Sequence, residues 1–189
     1  MPVINVTLIS GYDDAIRQKL CERLTDAAMA TIQAPAEAVT VFINEVQPSS
    51  YMRGRTPKTP GPAPVPPAQL CLDFLEAQGS RDLDRAKAMI AEGFEMTFPG
   101  PASFTTFEDL IAWAAPRYRK IAKKIERVEE APLGETVGVY VSGTLYGETP
   151  DGVAFDGIRF LDRFEVRAGQ ITRQEVWNDM AEAGVTGPV

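Results

Sequence analysis

The chain has 189 residues, a formal net charge of −7, two cysteines and no histidine. The missing imidazole excludes a His general base, a Ser-His-Asp triad and histidine-bound metal, and Cys21 and Cys71 give neither a disulfide framework nor zinc spacing. The acidity lies in residues 68–189, where 13 Lys or Arg face 20 Asp or Glu, which argues against a nucleic-acid partner.

In chain order, the first informative residue is Pro2. Removal of Met1 would leave a secondary amine at the N-terminus. An ordinary terminal amine has a pKa of about 8, and burial or nearby cations lower such a value. An imino nitrogen left uncharged near neutral pH is a general base. Val3 to Ile9 is rich in β-branched residues and predicts a strand. Ser10-Gly11 breaks it, and Asp13 or Asp14 can cap a helix. Ile16, Leu20, Leu24, Ala27 or Ala28, and Ile32 then recur at helical spacing. Gln33-Ala34-Pro35 ends that helix, and Val39 to Val46 alternates as a second strand. Strand, helix and strand predict a parallel βαβ unit with a right-handed crossover. So short a unit cannot bury a full core alone, so it is expected to pack against copies of itself.

Residues 2–55 resemble the 4-oxalocrotonate tautomerase family. The resemblance rests on Pro2, the strand end Leu8-Ile9-Ser10-Gly11, the Ala34-Pro35 break, the strand Val39-Thr40-Val41-Phe42-Ile43-Asn44-Glu45-Val46, and Tyr51 ahead of a turn at Gly54. It implies an amino-terminal proline, Pro2, that moves protons on enol or keto acids without a cofactor, in a homo-oligomer. The family's usual arginine after the strand-end glycine is Tyr12 here, and its second arginine falls at Thr40. The family's diacid substrate therefore does not carry over. Arg53 and Arg55 are either replacement cations for a carboxylate, for which a planar guanidinium is suited, or solvated loop charges. Tyr51 and Tyr12 complete the substrate-binding candidates.

From Thr56 to Pro67 the sequence TPKTPGPAPVPP reads as a semi-rigid polyproline spacer. This sets expected domains at 1–55 and 68–189, with 56–67 between them. In the second, Ala68 to Gln78 and Asp82 to Ala91 predict helices, and Phe94 to Phe98 a short strand. Thr105-Thr106-Phe107-Glu108 opens a third helix expected to run through Tyr118 and Ile121 with a kink at Pro116. The basic cluster Arg117 to Lys124 reads as a solvated helix face. Three antiparallel strands follow, at 136–146, 155–166 and 171–177.

Helices followed by a meander of long strands predict an α+β domain with a curved sheet wrapped around a helix. The phrases Phe74-Leu75-Glu76-Ala77, Ala91-Glu92-Gly93-Phe94-Glu95-Met96 and Gly157-Ile158-Arg159-Phe160-Leu161-Asp162-Arg163-Phe164, with Gly169-Gln170-Ile171-Thr172 leading to Glu175-Val176-Trp177, carry a second resemblance. They are similar to the SnoaL-like branch of the nuclear-transport-factor-2-like superfamily, across residues 68–186. That resemblance implies an isomerase or cyclase using an Asp without metal, and makes Asp156, Asp162 and Asp179 candidates. Tyr140 and Trp177 are further pocket candidates. The alternative role for these carboxylates is neutralising Arg159 and Arg163 across strands. Three readings stay open: a tautomerase using Pro2, an isomerase or cyclase using the second domain, and a non-catalytic small-ligand binder. All expect a small-molecule partner, carbonyl or enol, and no metal or cofactor. No signal peptide or membrane span is visible, so no membrane association and a cytoplasmic location are expected.

Overall fold

The computed structural model describes residues 1–63, 65–100 and 102–186. Pro64 in the expected spacer and residues 187–189 at the end of the expected second domain lie outside the described residues. The chain divides into two compact units, Met1–Ala63 and Pro64–Val189, and its class is α+β.

In the first unit, β1 (Val3–Ile9) and β2 (Thr40–Val46) pair in parallel, with Val3 opposite Thr40 and Ile9 opposite Val46. The crossover is α1 (Asp14–Ile32), opened by the Asp13 carboxylate, which accepts from the Ile16 N–H at 2.8 Å. It closes at Gln33, whose left-handed backbone lets its N–H reach the Met29 carbonyl. Ile4, Val6, Val41 and Ile43 are half-buried, while Val3 and Phe42 are 57% and 53% exposed. No residue between 1 and 63 is fully buried among the described residues. After a short turn, β3 (Met52–Arg53) and β4 (Thr56–Pro57) form a tight hairpin. Gly54 and Arg55 both have positive φ, 57° and 64°, as a type I′ turn requires. Thr56 and Pro57, expected to begin the spacer, lie in this hairpin.

The second unit begins with α2 (Pro67–Ser80) and α3 (Leu83–Ala88). The second helix ends three residues before the expected Ala91, because the next segment is drawn into the sheet. The Ile171 N–H donates to the Met89 carbonyl at 2.9 Å, and the Gln170 amide donates to the Ile90 carbonyl at 3.1 Å. Strand β5 (Ile90–Thr97) therefore starts earlier than read from sequence. It pairs with β6 (Ser103–Phe104) before α4 (Phe107–Ala114), whose N-cap is Thr106, accepting from the Asp109 N–H at 3.2 Å.

The expected continuation of α4 to Ile121 does not form. Pro116 cannot donate into a helical ladder, and the Arg119 N–H instead pairs with the Glu148 carbonyl at 2.9 Å. Residues Lys120–Leu133 make β7, a strand absent from the sequence reading. Strands β8 (Thr136–Glu148), β9 (Ala154–Arg167) and β10 (Gln170–Asn178) complete a sheet of order β6-β5-β10-β9-β8-β7. All pairs are antiparallel except β5 with β10. As an edge strand, β7 carries the Lys and Glu residues that discourage edge-to-edge association. The core gathers on α2, where Phe74 meets Phe94 and Phe164 edge-on at centroid distances of 5.8 and 5.9 Å.

Candidate functional site

Strand alternation alone delivers a carboxylate to the interior of the second unit. The inward positions of β9 are Ile158, Phe160, Asp162, Phe164 and Val166, all buried. Beside them on β10 lies Gln174, 1% exposed. The third member, Lys123, comes from β7 and must cross β8 to reach Asp162. Lys123 stands opposite Leu145 and Asp162 opposite Val141, with Gly143 midway between them on β8. A Cβ at Gly143 would lie 2.0 Å from the Lys124 carbonyl oxygen and 3.0 Å from the Glu126 nitrogen, so only glycine fits that approach.

The Lys123 ammonium pairs with Asp162 Oδ2, and Gln174 Nε2 donates to the same oxygen at 3.4 Å. Asp162 Oδ1 and Gln174 Oε1 have no hydrogen-bond partner, although both are buried. Burial pushes the Asp162 carboxyl above its ordinary range, and Lys123 and Gln174 offset that only partly. Cys71, buried nearby, is held as a neutral thiol by burial first, then by the charges of Glu130 and Asp162.

Lys123 and Gln174 line a cavity of about 630 Å³, together with Leu145 and Phe160 at its buried end. Helices α2 and α4 contribute Leu72, Leu75, Leu110 and Trp113, and Phe98 and Tyr118 add further ring surface. The Arg117 guanidinium stacks 3.9 Å over the Trp113 ring, and burial raises the Tyr118 phenol above its usual value. Such a volume suits a drug-sized molecule, and few polar groups among apolar walls fix a ligand's orientation.

In the first unit the Pro2 carbonyl accepts from the Thr40 N–H at 3.0 Å, so Pro2 stands half-buried at the entry of the parallel pair. Tyr12 follows the other end of β1, about 20 Å along the strand at roughly 3.3 Å per residue. Its carbonyl accepts from Arg17 at 3.1 Å, and the same guanidinium binds Glu45 at 2.7 Å. Tyr51 is half-buried beside the β3–β4 hairpin, which presents Arg53 and Arg55 to solvent. A single copy of this unit thus separates Pro2 from Tyr12.

Different known proteins match the two parts of the chain. The tautomerase enzyme family matches residues 2–59, and the SnoaL-like domain family matches residues 72–174. A probable tautomerase of Ralstonia nicotianae is 41% identical over 64 residues, which are 34% of this chain and 91% of that protein. One from Staphylococcus aureus strain N315 is 37% identical over 51 residues, 27% of this chain and 84% of its own. The chain belongs to the tautomerase and SnoaL-like families. It is an enzyme of isomerase type. Two solved structures share the fold of the SnoaL-like unit. TerC, crystallised with polyporic acid, superimposes with a TM-score of 0.51 at 15% identity, covering 61% of this chain and 93% of its own. A nuclear-transport-factor-2-like protein of Burkholderia thailandensis gives 0.51 at 21% identity, covering 65% and 98%.

None of the five candidates in the SnoaL-like unit lines the large cavity; Asp162 alone is bonded to side chains that do, Lys123 and Gln174. Tyr140 alternates out of phase with buried Val139 and Val141 and bonds Arg163, which also holds Glu165 and Glu175. Asp156 accepts from the Gly157 N–H at 2.7 Å, Trp177 is 50% exposed, and Asp179 bridges Arg159 at 2.5 Å. Lys123 is hidden in the sequence, because the Arg117 to Lys124 cluster reads as a helix end. Only the strand assignment of β7 turns Lys123 inward. Among the described residues no helix is long and apolar enough to cross a membrane.

Proposed function

We propose that the protein is a cofactor-independent tautomerase in which Pro2, freed of Met1, is the general base. The observation that carries this reading is the 41% identity to a probable tautomerase across 91% of that protein's length, starting from a chain whose second residue is proline. In the proposed step the Pro2 nitrogen takes a proton from an enol hydroxyl or from the carbon alpha to a carbonyl, the electrons of the broken bond stay in the resulting enolate, and the same nitrogen returns the proton elsewhere on the conjugated system. Substrates are enol or keto acids. Arg53 or Arg55, on a hairpin fixed by its turn, would hold the carboxylate, and Tyr51 would wall the pocket. Tyr12 would enter that pocket from a second copy, because a full strand separates it from Pro2 within one chain. The exposed apolar residues Val3 and Phe42 support such a homo-oligomer. The SnoaL-like unit would bind the same substrate or its product.

The test is tautomerisation of phenylenolpyruvate by full-length enzyme and by Pro2→Ala. Loss of about 100-fold or more in kcat/KM is expected for removing a general base; full activity in the variant contradicts the assignment. A second reading places catalysis at Asp162. It is favoured by a carboxyl raised above its ordinary range and bonded to Lys123 and Gln174, which line a cavity of about 630 Å³. Turnover that survives Pro2→Ala and disappears in Asp162→Asn would select it.

A further inference from the structure

The cluster at the buried end of the large cavity is incomplete as a hydrogen-bonded set. Lys123 and Gln174 both aim donors at one oxygen, Asp162 Oδ2. That leaves Gln174 Oε1, on a side chain 1% exposed that lines the cavity, with no donor. A buried acceptor without a partner is costly, so a group that donates to it gains more than it would at the surface. The neighbouring Lys123 ammonium has three N–H donors and gives one to Asp162. An acceptor for the remaining donors, carrying a hydrogen for Gln174, satisfies both side chains at once. A hydroxyl does this with a single oxygen.

Charge narrows the choice. Asp162 already neutralises Lys123, so an anionic group at this end would face the carboxylate without a free counter-charge. The surrounding Leu145 and Phe160 are apolar, and Lys123 lies 4.8 Å over the Phe160 ring. We infer that Lys123 and Gln174 form the polar end of a ligand site that takes an apolar, ring-bearing molecule by one neutral hydroxyl, phenolic or enolic. The hydroxyl oxygen accepts from Lys123 and its hydrogen is donated to Gln174 Oε1. This rests on the reading that the second unit's cavity binds a small molecule, and it assigns Lys123 and Gln174 as the residues that choose the ligand.

The experiment is calorimetric titration of the full chain near pH 7 with 2-naphthol and with its methyl ether, 2-methoxynaphthalene. The ether keeps the rings and the oxygen but has no hydrogen to donate. The wild type should bind 2-naphthol about tenfold more tightly, the worth of one good buried hydrogen bond. Gln174→Met and Lys123→Met should each erase that preference while still binding the ether. Equal affinity for the two probes in the wild type, or a preference that persists in Gln174→Met, overturns the assignment and leaves the cavity as a ligand site. Binding of neither probe overturns both. The wild-type comparison decides even where a variant fails to fold.

Discussion

Asp162 is a residue whose ionisation the fold resists. It is fully buried, its carboxyl is raised by desolvation, and the Lys123 ammonium is its main compensation. Removing that cation by Lys123→Met leaves an uncompensated buried carboxylate, and such changes cost about 3 kcal/mol. The sign of the pH dependence follows from linkage. In the variant the folded-state carboxyl is raised still further above its unfolded value. Below the unfolded carboxyl pKa, about 4, Asp162 is protonated in both states and the penalty is absent. As pH rises through the window above that value, the unfolded chain releases the proton first and the variant loses stability. Urea unfolding at pH 4 and pH 7 should therefore show a wild-type advantage that is larger at pH 7. An advantage independent of pH would mean that Lys123 contributes through packing alone.

At the scale of elements, β8 and α4 carry the sharpest expectations. Gly143 admits β7 so closely that Gly143→Ala must push two backbones apart. A loss of about 3 kcal/mol is expected, at the upper end for overpacking, and a change below about 0.5 kcal/mol would show that β7 yields freely. Thr106→Ala removes the N-cap of α4 and should cost about 1 kcal/mol in the same assay. How far these elements can be read in advance depends on their pattern. The row Ile158, Phe160, Asp162, Phe164 and Val166 alternates cleanly, so strand, inward face and the odd carboxylate are all visible in the sequence. Strand β7 is not. Its segment from Lys120 to Leu133 mixes Lys, Glu and apolar residues as a surface helix does, and its identity comes from pairing with β8. With β7 unread, Lys123 cannot be placed, and the partner of Asp162 stays hidden. Gln174 is missed for a related reason: the irregularity between Ile171 and Arg173 shifts which residues of β10 face inward.

For the whole molecule, the two units bury their surfaces differently. The SnoaL-like unit encloses an aromatic core around Phe74, whereas no described residue of the tautomerase unit is buried. A two-stranded sheet covered by one helix exposes its second face, and Phe42 sits there beside Asn5. Self-association through that face predicts that Phe42→Arg shifts the sedimentation profile to smaller species while the far-ultraviolet spectrum of the SnoaL-like unit persists. An unchanged profile would assign assembly to another surface. Within the proposed assembly the decisive atom is the Pro2 nitrogen, because every step of the tautomerisation passes through it. Its protonation can be followed directly by nitrogen NMR of the full-length protein labelled with 15N-proline. The account predicts a secondary amine that titrates at or below the ordinary terminal range of about 8. A Pro2 signal that stays an amide across the whole titration would contradict it.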